Sequence, residues 1–135
     1  MDVTSAIFLV LILMFSAIVH EVMHGIAADK LGDPTARYAG RLTLNPLPHL
    51  DPVGSVILPF LLVLMNSPVF FAWAKPVPYN PYNLRPGRFS EAIVAGAGPA
   101  VNLLIALVFG IVIRLGAAPG LNPIFFLIVV INVML

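Results

Sequence analysis

His20 and His24 stand four residues apart, with Glu21 between them, in the run FSAIVHEVMHGIAADK from Phe15 to Lys30. On a helix, positions i and i+4 lie about 40° apart around the axis and one turn apart along it. Both imidazoles then point the same way and can hold one zinc ion. Glu21 falls about 100° from His20, beside such an ion rather than on it. From there it can serve as general base toward a zinc-bound water, whose pKa the ion lowers to about 7. H-E-x-x-H is a short pattern, and the bland alternative is a hydrogen-bonded polar cluster at the end of a helix. The surroundings favour the metal. Three ionisable groups at membrane depth cost several kcal/mol unless they share a partner.

The element that carries them is apolar, and so is the rest of the chain. Of 135 residues, 60% are hydrophobic and 10% charged, with a mean hydropathy of +1.02. A soluble domain carries about a quarter charged residues. The composition is that of an integral membrane protein in contact with the bilayer, a single domain over residues 1–135. Net charge is +1 and no long basic run exists, so nothing marks a nucleic-acid partner. Cysteine is absent, which excludes disulfides and thiolate metal sites and leaves imidazole and carboxylate as ligands.

Four apolar blocks follow one another: Ser5–Ala28, Val53–Ala74, Ala92–Ile113 and Asn122–Leu135. The first is read as a retained helix, because it carries Asp2 and no cation ahead of it and runs on past His24. A spanning helix needs about 20 residues, so the first three are long enough. The fourth stops in mid-run, as in a chain cut short. Between the first two blocks, Gly-Asp-Pro and Asn-Pro mark turns, and ARYAGRLTL alternates as one or two short strands would. KPVPYNPYNLRPGR is too rich in proline for a helix and suits the membrane interface, with Trp73, Tyr79 and Tyr82 at headgroup depth. The expected fold is an all-α membrane protein of three to four transmembrane helices, with a short β-hairpin-like or re-entrant loop after the first. If the blocks alternate, Lys30, Arg37, Arg41 and Arg114 face Lys75, Arg85 and Arg88 across the bilayer. That difference does not decide orientation. The reading adopted puts the N-terminus outside and the His20–His24 end near the cytoplasm.

A hydrolytic zinc site commonly adds a carboxylate to two histidines. Asp29, Asp33, His49, Asp51 and Glu91 are the candidates. Asp33 and Asp51 also fit turns before proline, Asp29 a solvated helix end, and Glu91 a helix first turn. In the third block Ala92, Gly96 and Ala100 form a small-residue face for close packing, and Pro99 predicts a kink. Asn102 is either a helix–helix hydrogen bond or a donor toward a substrate backbone or oxyanion.

HEVMHGIAADKLGDPTARYAGRLTLNPLPHLDPVGSVILP, GAGPAVNLL and WAKPVPYNPYNLR together resemble the site-2 protease family of intramembrane zinc metalloproteases, in its small prokaryotic branch. The likeness runs from about Ile7 to Leu135. It implies a zinc endopeptidase of a prokaryotic cell membrane that cleaves membrane-spanning segments of other proteins. By that resemblance His20 and His24 are zinc ligands, Glu21 is the catalytic glutamate, and Gly96–Asn102 matches a G-P-x-x-N element near the active site. The family's third ligand is an aspartate in N-x-x-P-x-x-x-D-G, and this element is not in the sequence, where Asn132 is followed by Val133, Met134 and Leu135. His49 and Asp51 match a recurring H-x-D-P and are candidates for a gate or supporting role.

Two other readings use the same residues. One is a metal-handling membrane protein that passes ions through His20, His24 and Asp51; the other is an inactive scaffold. Glu21 separates them, since a transporter has no use for a base facing water. For a protease in the bilayer, Tyr38–Leu44 could hold an unwound substrate by edge pairing. Pro59, Pro68 and Pro99 could let helices part.

Overall fold

The computed structural model describes residues 3–65, 67, 69 and 73–135, of which residues 3–6 and 63 are described by their backbone alone. Among the described residues every regular element is helical. The first helix, α1, is Val3–Lys30. Its apolar run has no internal proline, and it ends where Gly32 adopts φ 112° and the Asp33 N–H donates back to Ala28 O at 2.9 Å. One helical turn follows, α2 at Thr35–Tyr38, then α3 at Leu58–Leu64, α4 at Ser90–Arg114 and α5 at Asn122–Met134. Ile7–Lys30 and Ser90–Arg114 are long and apolar enough to cross a membrane.

The three longer helices pack side by side. α4 runs antiparallel to α1 and turns Val94, Gly98, Asn102 and Ala106 inward, a stripe repeating every four residues. α5 returns alongside both. Its Phe125 ring lies 5.2 Å from that of Phe109 on α4, and Asn132 donates to the Ser16 hydroxyl on α1 at 2.9 Å. Many large apolar side chains face outward instead, among them Leu103, Leu104 and Leu107 at 57–60% exposure. An outer face as oily as the interior suits lipid rather than water.

The small-residue face expected at Ala92, Gly96 and Ala100 points outward, and a Cβ on Gly96 would touch nothing within 4 Å. The packing stripe lies two residues out of phase with it. Pro99 faces out, inside a helix that continues to Arg114.

Two further expectations change. The strands foreseen in ARYAGRLTL are absent among the described residues. The Asp33 carboxylate accepts from the N–H and hydroxyl of Thr35, winding a helical turn, and Gly40 at φ 65° bends the chain so that Arg41 N–H reaches Ala36 O. The N–H groups of Tyr38 to Arg41 are closed locally, which removes that half of the edge expected over Tyr38–Leu44. The second block does not run as one long helix. It opens as a widened turn, Pro52–Ile57, just ahead of Pro59, whose ring lacks an N–H and would collide with the Ser55 carbonyl in a regular helix. After α3, Trp73 comes back to where the block began: its N–H donates to Gly54 O at 3.2 Å and its carbonyl accepts from the Ser55 hydroxyl at 2.7 Å. Lys75 N–H then donates to His49 O at 2.8 Å. The two ends of the block thus meet, so it does not form the spanning helix expected of it. Pro68 lies outside the described residues.

This return regroups the charges. Lys30, Arg37, Arg41, Lys75, Arg85 and Arg88 all lie in the connections joined to the His24 end of α1, and Arg114 is at the far end of α4.

Candidate metal centre

α1 places His20, Glu21 and His24 so that one ligand atom from each lies within 4.8 Å of the others. The imidazole centroids are 4.7 Å apart and the rings meet edge to face, at 77°. α4 sets their orientation. Nδ1 of His24 lies 2.7 Å from the Val94 carbonyl. A carbonyl only accepts, so Nδ1 carries the proton and Nε2 keeps its lone pair for a metal. Nδ1 of His20 lies 3.0 Å from the Asn102 side-chain amide nitrogen, while Asn102 Oδ1 is buried with no partner. Turning the amide by 180° exchanges the two atoms. Oδ1 then accepts from Nδ1–H, and His20 Nε2 is freed in its turn.

Gly98 supplies the space. A Cβ built there would stand 2.5 Å from His24 Nε2 and 2.6 Å from His20 Nε2. Both Nε2 atoms therefore lie close against α4 at residue 98, an approach possible only because that residue has no side chain. Two lone pairs converging beside a carboxylate fit a divalent cation, and zinc accepts this donor set.

Glu21 Oε2 accepts the Val77 N–H at 2.9 Å. Beyond it opens a cleft of about 520 Å³, walled by Leu13, Ile18, Pro59, Phe60 and Trp73, with His20, Glu21 and His49 among its polar lining. His49 is 1% exposed; its Nε2–H donates to Thr43 O at 2.9 Å, and Nδ1 has no partner. It borders the cleft and is not in the ligand cluster.

Three of the remaining acidic candidates have structural partners. Asp51 caps the widened turn, accepting from Val53 N–H at 3.0 Å and Gly54 N–H at 2.7 Å. Asp29 pairs with Arg37. Asp33 is fully buried and also accepts from Asn80 N–H and the Asn83 amide, pinning the 80–83 turn to the end of α1. Burial raises its pKa, but these hydrogen bonds, with those of Thr35, outweigh that and hold it below the ordinary 3.8. Glu91 sits in the first turn of α4.

Val94 and Val77 were not singled out from sequence, and Gly98 only as the glycine of the G-P-x-x-N element. Val94 and Val77 act through backbone atoms, which no residue type advertises. For Gly98 the available signal was Asn102, four residues on and therefore on the same face.

Two curated proteins align with this stretch. The chain is 41% identical over 101 residues to a Bacillus subtilis protein named "Putative zinc metalloprotease YwhC", covering 75% of this chain and 42% of that protein. It is 33% identical over 94 residues to "Putative zinc metalloprotease Rip2" of Mycolicibacterium smegmatis, covering 70% and 35% respectively. These likenesses to zinc metalloproteases support the site-2 protease family. The chain spans less than half the length of either relative. No family model and no solved structure matches it.

Proposed function

We propose that the chain carries the zinc-binding histidines and catalytic glutamate of an intramembrane metalloendopeptidase, acting on membrane-spanning segments of other proteins in a prokaryotic cell membrane. The observation that carries the reading is the gathering of one ligand atom each from His20, Glu21 and His24 within 4.8 Å of one another, with His20 and Glu21 at the wall of an apolar cleft. Zinc held there by His20 and His24 would supply Lewis acidity, lowering the pKa of a water it binds and polarising a peptide carbonyl. Glu21 takes the proton from the attacking water and returns it to the leaving amine. Its grip on Val77 N–H holds the carboxylate beside the imidazoles. The apolar walls receive an unwound hydrophobic segment and keep bulk water from it. Peptide bonds of a membrane helix are already hydrogen-bonded, so the cleft must accept a locally extended chain.

The test is Glu21→Gln in the purified chain in bilayers, with bound zinc and cleavage of a membrane-spanning test protein both measured. Zinc is expected to stay bound, while cleavage falls at least about a hundredfold. Unchanged cleavage, or zinc flux that responds where cleavage does not, would reject the reading in favour of a scaffold or a transporter.

A further inference from the structure

We infer that Arg41 is a positioning residue for Glu21, acting through the backbone of residues 75–77. This rests on the reading of Glu21 as the base. Arg41 is 7% exposed, yet among the described residues no carboxylate lies within ion-pair distance of it. Its Nη2 donates instead to Lys75 O at 2.6 Å and to Pro76 O at 3.3 Å, and its Nε is buried without a partner. Burying a guanidinium against peptide carbonyls alone, with one N–H orphaned, is a poor way to gain stability. What it achieves is local order. Pro76 and Pro78 flank Val77 and lack N–H groups, so Val77 N–H is the one donor that 76–78 can offer. Arg41 grips the two carbonyls before it, and that N–H donates to Glu21 Oε2 at 2.9 Å. Val77 is itself buried, its Cγ1 2.9 Å from where a Cβ on Gly25 would stand. Arg41 is itself anchored to α2 through its own N–H to Ala36 O. The line Arg41–Lys75/Pro76–Val77–Glu21 fixes one carboxylate oxygen. Among the described residues Oε1 accepts no hydrogen bond, which leaves it for the proton being moved.

Amide hydrogen exchange at Val77, read by NMR on the zinc-loaded chain in bicelles, tests the link without relying on activity. Arg41→Met removes the donor and keeps an apolar stem, and Val77 exchange is expected to quicken at least about tenfold. Arg41→Lys, which keeps a cationic donor, is expected to stay within about threefold of the parent. Zinc affinity is expected to be unchanged in both, since neither touches the imidazoles. Where cleavage is followed, Arg41→Met is expected to lower kcat about tenfold and leave KM alone. Unchanged Val77 exchange in Arg41→Met overturns the proposal. If that variant loosens α1 as a whole, Glu21→Gln decides: it weakens the same bond from the other end, and an unchanged Val77 there overturns the proposal equally. Quickened Val77 exchange in Arg41→Met, with cleavage intact in Glu21→Gln, would uphold the link while rejecting Glu21 as base.

Discussion

Gly98 of α4 stands so close to His24 of α1 that a methyl group in place of its hydrogen would lie 2.5 Å from Nε2. It would also lie 2.6 Å from Nε2 of His20. Those are the two atoms that the site offers to a metal. Gly98→Ala is therefore expected to weaken zinc binding at least about tenfold, by turning both rings or by parting the helices. Gly96→Ala, two residues away with open space around it, is expected to bind zinc like the parent. Competition with a chelator of known affinity measures both.

Asn102 gives a second, chemically distinct handle. Asn102→Ala leaves His20 Nδ1 without its partner and is expected to lower zinc affinity about 10–100-fold. Asn102→Asp restores an oxygen acceptor for Nδ1–H and is expected to bind more tightly than Asn102→Ala. The same zinc titration would show the reverse order if Asn102 served only to join α4 to α1.

The Asp33 staple predicts an acid limit. A carboxyl whose folded pKa is depressed contributes fully above its unfolded value, here near 3.8, and loses that contribution as pH falls through the folded value. The parent's thermal midpoint is expected to fall on acidification from pH 5 to pH 3, and that of Asp33→Asn to fall less. At pH 7, Asp33→Asn is expected to be the less stable by about 1–3 kcal/mol, since four hydrogen bonds lose their charge. Circular dichroism melts over that range check both statements.

The regrouped cations predict orientation. With Arg114 alone at the far end of α4, the His24 end is expected to face the cytoplasm. The chain has no cysteine, so single substitutions report cleanly. Tyr82 and Leu115 are 95% and 75% exposed, near the opposite ends of α4. An impermeant maleimide added to intact cells is expected to label Leu115→Cys and to spare Tyr82→Cys until lysis.

How far the sequence alone led depended on whether neighbouring residues or distant ones set the geometry. His20, Glu21 and His24 are consecutive on one helix, so their spacing already fixed which way they point. The face of α4 was less legible, because small residues occur at 92, 96, 98 and 100 and only contact with α1 selects the phase. ARYAGRLTL has a strand's alternation, but Asp33 four residues before Arg37 winds the chain first. The block from Val53 to Ala74 is oily enough to cross a bilayer; what turns it back is Trp73 packed on Gly54, a pairing invisible to hydropathy. Asp51 was ambiguous by type, since a carboxylate before proline serves a cap as well as a cation.

Immediately after His24, Gly25 leaves a notch in α1. A Cβ there would stand 2.7 Å from Leu42 and 3.1 Å from Ala36, as well as against Val77. Two separate stretches of loop are thus moored to the same few ångströms of helix that bear the histidines. Lifting that canopy would mean pulling three side chains out of the notch together. The cleft beside Leu13 and Phe60 lies on another side of the site, between α1 and the segment from residue 46 to residue 74, and reaches His20 and Glu21 without passing the notch.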